Sequence, residues 1–254
     1  MSFISKLKNA RSGKTPQCSA VIAAAGDSKR MNGRDKLFIE ILGRPVIAHT
    51  LAVFQSCRLI DEIIIVSRED HIVSIGDICS RFNITKATKV ILGGSTRLLS
   101  VLNGVYAVSK DAGLIAIHDG ARPCVDAGTI ERAIEAGAKS HASAPAVPVS
   151  STIKKVERGY IVETVPRDKL FEIQTPQVFA ADLIKAALTN AYSKSIDVTD
   201  DCEAVELIGA PVRVIDGSHS NIKLTTNEDI IIAEAILGAS AKISRLLTPA
   251  DGAT

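Results

Sequence analysis

Apolar and polar positions alternate along this chain in two rhythms. Short apolar runs over 19–24, 62–67, 89–92 and 114–118 read as buried strands, the second of them rich in β-branched residues. Between them, apolar residues recur at helical spacing over 45–56, 70–82, 95–108 and 126–140. Pro45 suits a first helical turn, and Ser95 and Asp126 suit N-caps. Strands alternating with helices predict an α/β fold: a Rossmann-like, mostly parallel twisted sheet with helices on both faces. Ligands of such sheets sit outside the carboxyl ends of the strands. The segments 25–36, 93–95 and 119–123 all fall at such ends, so the topology gathers them on one rim.

The rhythm changes after Pro148. Strand-like runs over 152–156 and 160–164 flank Glu157-Arg158-Gly159 and predict a β-hairpin. The hairpin interrupts the alternation, so it is expected to project as an arm over about 149–166. Helical patterns return over 180–192 and 200–208, then a strand over 212–215 and a closing helix over 227–237. The expected organisation is one domain over 18–238. It lies between a flexible extension, 1–17, and a frayed tail, 239–254.

Composition narrows the class. Hydrophobic residues make up 46% of 254 and Trp is absent, so the core must be aliphatic. A formal charge of +2 lacks the concentrated basic face of a nucleic-acid binder, and no apolar run is long enough to span a membrane. Five scattered cysteines without a Cys-x-x-Cys pair argue against a disulfide framework or zinc site and for a reducing, cytoplasmic setting. The first 17 residues carry Lys6, Lys8, Arg11 and Lys14 and no acid, without a signal-peptide apolar block.

The chemistry concentrates at 23–36, A-A-A-G-D-S-K-R-M-N-G-R-D-K. A strand opening into a small-residue loop brings backbone N–H groups close to phosphates, and the basic side chains can neutralise a triphosphate. It is not a P-loop, because Arg34 and Asp35 follow Gly33. It is not a dinucleotide fingerprint, because no glycine stands between Gly26 and Gly33. Asp119 would end a buried strand, where a carboxylate needs a cation or donors.

The loop resembles the signature of the nucleotidyltransferases that join a sugar or polyol phosphate to a nucleoside triphosphate, and more closely the methylerythritol-phosphate cytidylyltransferases. Further matches are H-D-G-A-R-P at 118–123, T-P-Q at 175–177, T-D-D at 199–201 and N-I-K-L-T at 221–225. The resemblance covers about 18–237. It implies that Ala24, Ala25, Gly26, Gly94, Ser95 and Ser100 hold CTP, with Arg97 beside the cytosine. Arg30 and Lys36 become transition-state stabilisers, and Lys223, expected on a strand, orients the attacking phosphate. Asp119 binds Mg²⁺ or another divalent cation, or the ribose. Arg122 meets the acceptor phosphate, against the alternative of an Asp119–Arg122 ion pair. Thr152, Arg167, Thr175 and Thr199 form the polyol-phosphate pocket, with Arg167 also counted catalytic. Ser95 and Ser151 stand where the family usually has Asp. The expected reaction moves CMP from CTP to 2-C-methyl-D-erythritol 4-phosphate. A ribitol-5-phosphate cytidylyltransferase and a catalytically silent homologue are the alternatives. The arm, which cannot stabilise itself alone, is expected to build a homodimer.

Overall fold

The structure is a computed structural model that describes residues 16–26 and 35–247. Arg30, most of the N-terminal extension and residues 248–254 lie outside that set.

Among the described residues, β1 (Cys18–Ala24), β4 (Glu62–Ser67), β5 (Ala87–Leu92) and β6 (Leu114–Asp119) form the parallel heart of an eight-stranded sheet. Small β2 (Glu40–Ile41) and β3 (Arg44–Pro45) pair with each other beside it. The register sets Ala23 against Asp119 and Ala24 against Ser67, so three strands end level with one another. Helices α1 (Val46–Ser56), α2 (Ile72–Arg81) and α4 (Ala127–Ser140) pack on one face. On the other lie α3 (Arg97–Ala107), α5 (Ala181–Ser193) and α6 (Asp201–Glu206). The two cores are almost wholly aliphatic, with Phe54 in the first and Phe179 in the second.

The sheet is mostly parallel, with additions that periodicity did not predict. β7 (Ala142–Pro148), β10 (Phe171–Ile173) and β11 (Gln177–Ala180) extend it, β11 running antiparallel to β6 and β7. β7 reads A-S-A-P-A-V-P: its small residues fit a crowded interior without the β-branched signature of a strand. β12 (Arg213–Asp216) lies parallel to β7. The closing helix α7 (Asn227–Leu247) runs past Gly238, so residues expected to fray are helical as far as Leu247.

The predicted hairpin is present as β8 (Ile153–Glu157) and β9 (Tyr160–Val165), a sheet of its own. Arg158 and Gly159 both take positive φ, 52° and 84°, as a two-residue primed turn requires. Val156, Tyr160, Ile161 and Val162 are exposed.

Candidate active site

The strand ends enclose a cleft of about 540 Å³. Ala23, Ala24, Ala25 and Gly26 form one lip as β1 opens into its loop, and Gly93, Gly94, Ser95 and Thr96 form the opposite one. Glycine is required there: a Cβ on Gly93 would stand 2.6 Å from the Ala25 Cβ and 2.8 Å from Ser100 Oγ. Without a Cβ, Gly93 lets the Ala25 and Ser100 side chains close against it and presents only main-chain atoms to the cleft, which suits a flat base held by main-chain groups. Ser100 Oγ fixes the second lip by accepting from Gly94 N at 3.0 Å and donating to Thr96 O at 2.9 Å. The cap of α3 is Thr96, whose hydroxyl accepts from Leu99 N, and not Ser95 as expected. Ser95 is exposed on the cleft wall.

Lys36, Asp119 and Lys223 line the floor and sides. Asp119 is 8% exposed. Its Oδ2 lies 2.9 Å from Lys223 Nζ and 3.4 Å from Arg122 Nε. Burial works against this charge, but the Lys223, Arg97 and Arg122 cations outweigh it and hold the carboxyl well below the usual range. Lys223 is on an irregular segment, not the expected strand, and the Leu224 N to Ala121 O hydrogen bond ties that segment to the rim. The Asp119–Arg122 contact noted as an alternative is present, and Arg122 Nη1 also donates to Asn221 O at 2.7 Å.

His118 and Thr175 support this floor from beneath. Thr175 Oγ1 is 2.9 Å from His118 Nδ1 and accepts from Asp119 N at 3.2 Å. Burial lowers the His118 pKa to about 3, so the ring is neutral packing against Phe54. Thr175 is buried, and its hydroxyl is engaged in holding Asp119.

The remaining expected residues stand elsewhere. Thr152 and Arg167 are exposed at the two ends of the arm, with Arg167 Nη1 donating to Ser150 O. Thr199 is exposed and bonds the Glu203 carboxylate through both its N–H and its hydroxyl. None of the three lines the cleft.

Two features escaped the sequence reading. Ser67, Arg68 and Glu69 line the cleft at the end of β4, the same kind of strand end that identified the other segments. Arg97, expected beside the base, is gripped by Asp201 through two hydrogen bonds of 3.0 and 2.8 Å. The two bonds run to different oxygens, the fork-on-fork pairing of a guanidinium with a carboxylate, and burial pulls the Asp201 pKa upward while the Arg97 cation pulls it down. Burial also opposes the Arg97 charge, but the Asp201 carboxylate outweighs it and raises the guanidinium above its ordinary value. The T-D-D motif thus sends Asp201 inward and leaves Thr199 outside.

The described residues contain no group of three or more His, Cys, Asp or Glu side chains placed to hold a metal. Asp119 is a single carboxylate that lines a cleft of nucleotide-scale volume. That suits Mg²⁺, which takes one or two carboxylates and completes its shell with phosphate oxygens and water. Among the described residues, no helix is long and apolar enough to cross a membrane.

Comparison with known proteins gives one answer. The family profile described as 2-C-methyl-D-erythritol 4-phosphate cytidylyltransferase matches residues 18–239. A protein of that name from Halalkalibacterium halodurans is 47% identical over 220 residues, 86% of this chain and 96% of its own. One from Dehalococcoides mccartyi is 41% identical over 86% of this chain and 95% of its own. Among solved structures, the 4-diphosphocytidyl-2C-methyl-D-erythritol synthase of Anaerococcus prevotii superposes with a TM-score of 0.78 at 35% identity. It covers 88% of this chain and 97% of its own.

Proposed function

The chain belongs to the 2-C-methyl-D-erythritol 4-phosphate cytidylyltransferase family, and from that membership we propose how its cleft performs the reaction. The enzyme transfers CMP from CTP to 2-C-methyl-D-erythritol 4-phosphate, giving 4-diphosphocytidyl-2-C-methyl-D-erythritol and pyrophosphate. A phosphate oxygen of the acceptor attacks the α-phosphorus of CTP. The bond from that phosphorus to the bridging oxygen breaks, and pyrophosphate leaves with the electron pair. Catalysis is then mainly positioning and charge stabilisation.

The observation that carries this reading is the set of cations around one cleft whose lips are backbone. The lips at Ala25–Gly26 and Gly93–Gly94 seat the cytidine, with Ser95 open to the base or ribose. Lys36 neutralises the α- and leaving phosphates, and the resemblance gives Arg30, outside the described residues, the same role. Lys223, beside Asp119 on the cleft wall, orients the incoming phosphate. A bound Mg²⁺ supplies further charge neutralisation at the phosphates, and Asp119 is the residue that would hold it. Thr175 keeps Asp119 in place. Thr152 and Arg167 serve the acceptor's polyol phosphate from the arm of a second copy, which makes the homodimer part of the site. Arg122 and Thr199 complete the acceptor side in the same assembly.

The test is pyrophosphate release from CTP with 2-C-methyl-D-erythritol 4-phosphate and, separately, ribitol 5-phosphate. Turnover is expected with the first and loss of it in EDTA. Turnover with the ribitol ester alone would overturn the substrate assignment, and undiminished rate in chelator would remove the metal.

A further inference from the structure

Behind Lys36 lies a group of side chains that the reaction as described does not use. Asp35 Oδ1 accepts from Leu37 N at 3.0 Å, and the Asp35 carbonyl accepts from Phe38 N at 3.1 Å. Asp35 Oδ2 faces His71 Nδ1 at 3.4 Å and Arg68 Nη2 at 3.6 Å. Arg68 Nη2 in turn lies 2.9 Å from His71 Nε2. Nε2 also lies 3.5 Å from Asp70 Oδ2. A guanidinium only donates, so toward Arg68 Nε2 is the acceptor, and Nδ1 faces the Asp35 carboxylate at charge-pair distance and makes no hydrogen bond of its own among the described residues. The Phe38 ring meets the His71 ring edge-on, with centroids 4.6 Å apart. The His71 and Asp35 side chains are 14% and 15% exposed, which separates this cluster from ion pairs out in solvent.

The turn from Asp35 to Phe38 is therefore fastened to the segment that follows β4. On its other side, the Leu37 carbonyl accepts from Ile47 N at 3.0 Å and so ties the turn to the start of α1. Lys36 sits inside this fastened turn and lines the cleft. A lysine side chain is long and flexible, so the reach of its ammonium is set by where its Cα is held.

We propose that His71, seated by Arg68, is a positioning residue of the transferase reaction: through Asp35 it fixes where Lys36 meets the triphosphate. This rests on the role given to Lys36 above. His71 does not line the cleft, so its influence on rate must pass through the turn.

The experiment places His71→Ala, His71→Asn and His71→Phe in the full-length enzyme, and His71→Ala also in a Lys36→Ala chain. His71→Ala should lower kcat roughly tenfold and leave the KM for CTP within about twofold, the signature of a displaced transition-state contact. Asn, whose amide N–H can stand where Nδ1 does, should recover most of the rate. Phe keeps the ring packing without the ring nitrogens and should behave as Ala does, and it carries the test if the Ala variant fails to fold. In the Lys36→Ala chain, His71→Ala should cause no further loss, because the group it positions is gone. Full rate in His71→Phe overturns the proposal, as does an undiminished second loss in the Lys36→Ala chain. If Lys36→Ala is itself fully active, the cleft reading falls and the positioning role with it. An inactive Lys36→Ala beside a fully active His71→Phe rejects the positioning role alone.

Discussion

The cleft and the arm solve the same problem, holding charged side chains in place, in opposite ways. In the cleft, its own chain supplies the supports. Asp119 is held by Lys223, Arg122 and Thr175, and Arg97 is gripped by a buried carboxylate. The arm has one turn, one ladder and a row of exposed apolar side chains, with Thr152 and Arg167 at its base. On the reading proposed above, the nucleotide half of the site lies within one fold and the acceptor half draws on the arm of a second copy. Self-contained parts should fail through stability or rate within one chain. The arm should fail, and be repaired, between chains.

The largest effect is expected where the cleft is most enclosed. Asp201→Ala leaves the Arg97 guanidinium without its partner in a largely buried place and should cost about 3–5 kcal/mol of stability, read as a lower denaturant midpoint. A loss under about 1 kcal/mol would mean that Arg97 finds solvent easily and that this wall is looser than its geometry. Next come the charges assigned to catalysis. Lys36→Ala and Arg167→Ala should each lower kcat by about 10²-fold with little change in melting temperature. Mixed as subunits that exchange, they should regain roughly a quarter of the wild-type rate: half of the dimers are mixed, and one of the two sites in each carries both groups. A strictly monomeric active enzyme in sedimentation, or no regain in proven heterodimers, would erase the contrast between cleft and arm.

The smallest effect is a pH dependence. The folded-state pKa of Asp119 is depressed, so the stabilisation it supplies is complete above its unfolded value near 3.9 and is lost as pH falls below about 4. Asp119→Asn should flatten that part of the stability–pH curve while leaving the arm's variants unaffected. An unchanged acid limb would mean that Asp119 is not held by its cations.

Much of the parallel heart was legible because β-branched runs and helical spacing report burial directly, and the rim followed from strand ends. β7 was not legible, because alanines and prolines packed beneath α4 carry no period. Ser67–Glu69 were missed although the rule that found Gly93–Ser95 applies to them equally. The sequence named Asp119 and Lys223 but not their 2.9 Å contact, which the fold makes by bringing two distant segments together. Thr199 and Asp201 lie two residues apart, yet only Asp201 turns inward. The helical start at α6 decides that, and composition does not record it.

The capping of α3 by Thr96 leaves position 95 with no duty to the helix. The side chain there is exposed on the cleft wall. If Ser95 meets the base or ribose as proposed, a substitution there touches the ligand and leaves the Thr96–Leu99 cap in place. Position 95 is thus a point where, on the proposed reading, a ligand contact can be altered while the cap of α3 stays as it is.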